Sequence, residues 1–241
     1  MNATVLTKTY EAPPVDEREI LRYSGVKPTS TASESDIAAL KELMNEMLSE
    51  SASVLTYKVC YATLPVSTDG NTCDFGAFKV ASKNLSKKLE GCDSAVFFAA
   101  TIGIGIDRLI AKYNHVSPAK ALMLQAVGAE RIESLVEIFC DELESSVGPV
   151  KPRYSPGYGD LPLEFQRTVF SLLDCPRKIG ITLNESLFMT PSKSVTAIVG
   201  IKNKCFIEEA SENGSEKPGL KSNQKHHCGE CRLVTCPFRE V

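Results

Sequence analysis

Chemistry is most concentrated in the segment RYSPGYGD, Arg153–Asp160. Pro152 and Pro156 fix φ at two positions, while Gly157 and Gly159 allow backbone N–H groups to come close to a ligand. Arg153 can fork onto a carboxylate with two parallel hydrogen bonds, and Tyr154 and Tyr158 add flat surfaces and hydroxyls. Composition supports two readings. One is a site for a small ligand with a carboxylate at one end and an aromatic ring or cation at the other. The other is a stiff turn whose arginine pairs with a nearby Asp or Glu.

A second concentration closes the chain. HHCGECRLVTC sets Cys228, Cys231 and Cys236 at C-x2-C-x4-C spacing beside His226 and His227. Two thiolates at x2 spacing can clasp one metal from a tight turn, and Cys236 with His227 would complete a tetrahedral zinc shell. Three cysteines could also hold an iron–sulfur cluster with an open or exogenous fourth ligand. A redox dithiol and an unstructured tail are the other readings. The remaining cysteines, Cys60, Cys73, Cys92, Cys140, Cys175 and Cys205, sit among apolar or strand-like neighbours and read as buried free thiols. An odd total of nine and no signal-peptide pattern argue against a disulfide framework.

A third motif, TIGIGID (101–107), follows an apolar strand and precedes a helix, as a dinucleotide-binding loop does. Arg108 stands where the third glycine of that fingerprint belongs, so a tight strand-to-helix turn is the better reading.

The elements that must position these residues follow from periodicity. Residues 1–30 read as extended and proline-punctuated, with a short helical piece at VDEREILRYSG. Ile37, Leu40, Met44, Met47 and Leu48 recur at helical spacing behind the caps Ser33 or Ser35. Strands are expected at 53–62, after a turn within DGNTCDFGAF (69–78), at 94–103, at 178–184 and at 194–203. Helices are expected at 82–90, 105–113, 118–146 and 163–173. The third of these carries Leu122, Ala126, Ile132, Leu135, Val136, Phe139 and Leu143 as its apolar face. Pro118 starts it and Gly148-Pro149 ends it. Without regular βαβ spacing the fold class is α+β, a twisted mixed or antiparallel sheet with flanking helices. The expected organisation is an N-terminal segment over 1–30, a core over 31–206, a polar linker over 207–225 and the Cys-rich tail over 226–241.

At 241 residues the chain can bury a sizeable core. A net charge of −3 gives no bulk field for nucleic acid. No run approaches the roughly 20 apolar residues of a membrane span. With no signal peptide, the expectation is a cytoplasmic protein.

RYSPGYGDLPLEFQ followed by GITLNESLFMTPSKSVTAIVGI (180–201) resembles the activation domain of cobalamin-dependent methionine synthase, with its free-standing bacterial relatives the nearest likeness. The family pattern is an R-x-[SA]-x-G-Y loop and, about thirty residues on, an L-T-E-S-x-x-M-x-P-x-x-S-V segment. Here that segment runs from Leu183 through Asn184, Glu185, Ser186, Met189 and Pro191 to Ser194-Val195. Weaker likeness reaches back through EILRYSG, FFAATIGIGID and GAERIESLVE. The resemblance implies binding of S-adenosylmethionine in a groove. Arg153 would hold the methionine carboxylate, Ser155 and Gly157 would contribute backbone groups, and Tyr158 would lie beside the ligand near the corrin. Glu133, with Ser134 as the alternative alignment, is the candidate carboxylate for the ligand's cationic groups.

Three departures accompany it. The family's N-terminal aspartate has no counterpart around Ser24-Gly25, Val199 stands where a tyrosine is expected, and no cobalamin-binding D-x-H-x-x-G segment is present. The implied role is therefore a stand-alone reactivation factor. It would support reductive methylation of cobalamin on a separate corrinoid-binding methionine synthase subunit, with an electron donor such as flavodoxin or ferredoxin. The alternatives are a sensor or adaptor that binds S-adenosylmethionine or a corrinoid protein without methyl transfer, and an iron–sulfur electron donor using the tail.

Overall fold

The computed structural model describes residues 3–26 and 33–202. In chain order the elements are β1 (Leu6–Tyr10), α1 (Glu17–Tyr23), α2 (Glu34–Ala52), β2 (Tyr57–Pro65), β3 (Ser67–Thr68), β4 (Thr72–Asp74), β5 (Lys79–Ala81), α3 (Lys83–Lys88) and β6 (Cys92–Thr101). There follow α4 (Gly105–Val116), α5 (Pro118–Val147), α6 (Phe165–Leu173), α7 (Cys175–Ile179), β7 (Thr182–Leu183), β8 (Met189–Thr190) and β9 (Ser194–Lys202).

The main sheet runs β1-β2-β6-β9, and every neighbouring pair is antiparallel. Its strand β6 is buried on both faces, which explains its continuous apolar sequence. Alternation sends Val96, Phe98 and Ala100 into a core built with α1, α2, α4 and α5. Ala95, Phe97 and Ala99 enter a second core with α3, α6 and α7. The fold is thus a helix–sheet–helix sandwich, in keeping with the α+β expectation. Small sheets β3-β4-β5 and β7-β8 lie outside the main one.

Local chemistry sets the boundaries. Asp16 caps α1 by accepting from the amides of Arg18 and Glu19, and Ser33 with Asp36 forms a capping box on α2. Ser82 caps α3, and Pro118 opens α5, which ends at Gly148 with φ of 91°. The glycines of TIGIGID serve close packing. A Cβ on Gly103 would lie 2.4 Å from Thr56 Oγ1, and one on Gly105 would lie 2.3 Å from the Val54 carbonyl. The antiparallel neighbours of β6 complete the case for a turn over a dinucleotide loop.

Several expectations are corrected. Leu6–Tyr10, expected only as extended chain, pairs with Tyr57–Tyr61 of β2. The strand expected at 53–62 begins at Tyr57 and the helix expected at 163–173 begins at Phe165. The strand expected over 178–184 is cut short: Lys178 and Ile179 end the one-turn helix α7, which Pro176 opens and Gly180 stops at φ 75°, and only Thr182–Leu183 are in a strand. Leu122, placed on the apolar face of α5, is 56% exposed. Cys60, Cys73, Cys140 and Cys175 are buried free thiols and Cys92 is half-buried; Cys205 lies outside the described residues.

Candidate functional site: an arginine anchor beside an acidic cleft

The segment after α5 runs along the free edge of β9, bridging Val150 to Ile201 and Tyr154 to Ile198. Tyr154 and Ile198 exchange both backbone hydrogen bonds, at 2.8 and 2.9 Å. This docking fixes Arg153 between two anchored positions and lays its side chain against α5.

There the Nη2 of Arg153 donates to Glu133 Oε2 at 2.5 Å. Nη1 is buried and has no hydrogen-bond partner among the described residues. Burial pulls the guanidinium pKa down, and the charge and hydrogen bond of Glu133 more than offset this, so the group is held firmly cationic. Glu133 and Glu137 stand at i and i+4 and share a helix face. The Glu137 carboxyl is pushed up, first by burial against the protein and then by Glu133 and Asp141, against the pull of Arg153. Cys140, one turn further, is raised to about 12 by burial and lies in the field of Arg153. It is a packing residue, with no thiolate at neutral pH.

The loop beyond Arg153 is held by its own bonds. Gly157 N–H donates to the Leu161 carbonyl at 2.9 Å and Tyr158 N–H to Ser155 at 3.2 Å. The Gly157 amide, expected to approach a ligand, is therefore spent within the turn. The Tyr154 hydroxyl donates to the Tyr158 carbonyl at 2.9 Å, with the two rings 6.4 Å apart, and Tyr158 is 61% exposed. Gly159 has φ of 56°, and a Cβ there would lie 2.2 Å from Asn84 Nδ2. Asp160 binds the start of α3, accepting from Ser82 Oγ and from the amides of Lys83 and Asn84. Half of the loop's distinctive residues thus hold it in place.

Next to Glu137 opens a cleft of about 620 Å³ between Pro13–Arg18 and α5, lined on the helix side by Ser134, Glu137, Ile138 and Asp141. Its ionisable lining is acidic: Asp16, Glu17, Glu137 and Asp141 against Arg18 alone. The strap is pinned by a buried ion pair of consecutive residues, Glu130 and Arg131. Arg131 donates to the carbonyls of Pro13 and Pro14 at 2.6 and 2.7 Å. Glu130 accepts from the Asp16 amide and from Ser134 Oγ. Sequence reasoning missed Asp16, Glu130 and Arg131. A charged pair on the inward face of a long helix was the available signal.

Residues 150–206 match the family model described as vitamin B12 dependent methionine synthase, activation domain. A solved structure titled as the MetH reactivation domain bound to AdoHcy superposes with a TM-score of 0.63 at 16% identity, over 84% of this chain and 80% of that one. The fold is that of the methionine synthase reactivation domain. Among curated proteins no match to the chain was found. In this reactivation-domain fold the matched stretch contains Arg153, Ser155, Gly157 and Tyr158 together with the whole of β9. Among the described residues no cluster of His, Cys, Asp or Glu could hold a metal. Cys228, Cys231, Cys236 and His227 lie outside them. No described helix is long and apolar enough to cross a membrane.

Proposed function

We propose that the protein binds S-adenosylmethionine between the Arg153 loop and the acidic cleft, and presents its methyl group to a corrinoid carried by another polypeptide. The observation that carries this reading is a cationic fork whose buried Nη1 is unpaired, set beside a cleft whose lining is acidic. S-adenosylmethionine has matching charges: one carboxylate, one ammonium and one sulfonium. Its carboxylate fits Arg153, and its cations fit the acidic lining. With Glu133 engaged by Arg153, Glu137 is the carboxylate we assign to the ammonium. Exposed Tyr158 would lie over the ligand on the side open to a partner, with the Ser155 backbone beneath it, while Gly157, its amide spent on Leu161, shapes the turn.

The corrinoid is substrate here. One-electron reduction of its inactive cobalt(II) form, by a donor such as flavodoxin or ferredoxin, would give cobalt(I). That nucleophile takes the methyl group; the C–S bond breaks, its electron pair stays on sulfur, and S-adenosylhomocysteine leaves. The protein's part is positioning, since the cobalt supplies the nucleophile and no general base is needed.

Calorimetric titration with S-adenosylmethionine tests the reading. Arg153→Ala should weaken binding by about 1.5–3 kcal/mol, the scale of hydrogen bonds to charged groups. Unchanged affinity in the folded variant would remove Arg153 from the site. Incubation with a reduced corrinoid protein should then yield the methylcobalamin spectrum. Ligand binding without that spectrum would favour a sensor or adaptor instead.

A further inference from the structure

Glu133 was expected to receive the ligand's cation, yet its carboxylate is bonded to Arg153. The guanidinium is a rigid planar fork, so fixing one terminal nitrogen sets the direction of the other. Glu133 holds Nη2, and the nitrogen left over, Nη1, is the buried one without a partner among the described residues. Both side chains are largely withdrawn from water, at 16% exposure for Arg153 and 26% for Glu133. Their contact is therefore not a loosely solvated surface pair. Of the carboxylates whose charge acts on Arg153, Glu133 is the one in ion-pair contact, while Glu137 acts on it only through its field.

Building on the S-adenosylmethionine reading, we propose that Glu133 is a positioning residue: it grips Arg153 through Nη2 and so aims Nη1 at the carboxylate of an amino-acid-bearing ligand, without touching the ligand itself. Removing the grip would free the guanidinium to turn towards Glu137, the next carboxylate on the same helix face. That would withdraw the anion anchor from the site.

This assignment differs from a cation-binding role in what the ligand must carry. The test is calorimetry on the full chain with two probes, S-adenosylmethionine and its decarboxylated analogue, which keeps the ammonium and sulfonium but lacks the carboxylate. Glu133→Gln should weaken the first by about tenfold or more and change the second by less than about twofold, as expected when one charge-assisted contact is lost. Glu133→Asp, which keeps the charge on a shorter stem, should give a smaller loss confined to the same probe, and it serves as the readout if Glu133→Gln does not fold. Equal losses for both probes would make Glu133 a cation contact or a general structural residue and overturn the proposal. Unchanged affinity for both would overturn it too. Wild-type protein that binds neither probe would sink the ligand reading, and this inference with it.

Discussion

Asp160 illustrates how much of a candidate binding loop's chemistry can be spent on holding the loop. Its carboxylate accepts from Ser82 Oγ at 2.5 Å and from the Lys83 amide at 2.7 Å. The Ser82 hydroxyl first, and then the backbone amides of α3, hold its pKa below the ordinary aspartate value of 3.8. A depressed folded-state pKa means stabilisation that is fully present above the unfolded value and lost as pH falls through the folded one. Asp160→Asn should therefore lower stability by about 1 kcal/mol at pH 7, the usual worth of a helix-capping side chain. The difference should begin to shrink as pH falls through the unfolded value near 4, and keep shrinking as pH falls towards the lowered folded one. Urea denaturation of both proteins across pH 3–7 measures this, and a gap independent of pH would refute it. At this scale Arg153 was legible in the sequence, because a fork flanked by prolines and glycines is a local pattern. The partners of Asp160 and Arg153 were not. Ser82 is 78 residues from Asp160, and Glu133 is 20 from Arg153. Helical spacing shows which carboxylates share a face but not which one a distant segment reaches.

Among the elements, α5 does most of the positioning. One of its faces packs the core through Leu135, Val136 and Phe139, another presents Glu133 and Glu137, and the Glu130–Arg131 pair fastens the strap Pro13–Asp16. A buried ion pair gives little net stability over an apolar packing, but breaking it strands a charge. Arg131→Met should cost about 3–5 kcal/mol and loosen the outer wall of the cleft, whereas the double change Glu130→Leu with Arg131→Met should recover much of that loss. Chemical denaturation of the two variants decides this; equal losses would mean the pair matters for packing rather than charge. The length of α5 was legible from its 3.6-residue periodicity and from Pro118 and Gly148. β1 was not, because an edge strand with mostly exposed side chains carries little hydrophobic alternation. α7 was hidden by the β-branched run behind it: Ile179, Ile181 and Thr182 suggest a strand, while Pro176 and left-handed Gly180 enclose a single helical turn.

At the scale of the molecule, the candidate site is assembled by topology. The antiparallel order β1-β2-β6-β9 leaves one edge of β9 free, and the segment from Val150 to Tyr154 closes over part of it. That closure sets the Arg153 loop against the middle of α5, whose Glu130–Arg131 pair separately holds Pro13–Asp16, so two stretches far apart in sequence lie against one helix. The α+β class and the sandwich of helices about an apolar strand could be read beforehand, because β6 is continuously hydrophobic. Strand order could not, since register depends on contacts between remote segments. Every group we assign to the ligand lies between Asp16 and Tyr158, and none is drawn from the cysteine-rich C-terminus. Replacing Cys228 and Cys231 together by serine in the full chain should leave S-adenosylmethionine affinity within about twofold, well under the tenfold that 1.4 kcal/mol represents. Elemental analysis of the same preparations should show zinc or iron falling in the variant if those thiolates clasp a metal. An affinity loss beyond tenfold would bring the tail into the binding site and require the Arg153 anchor to act together with it.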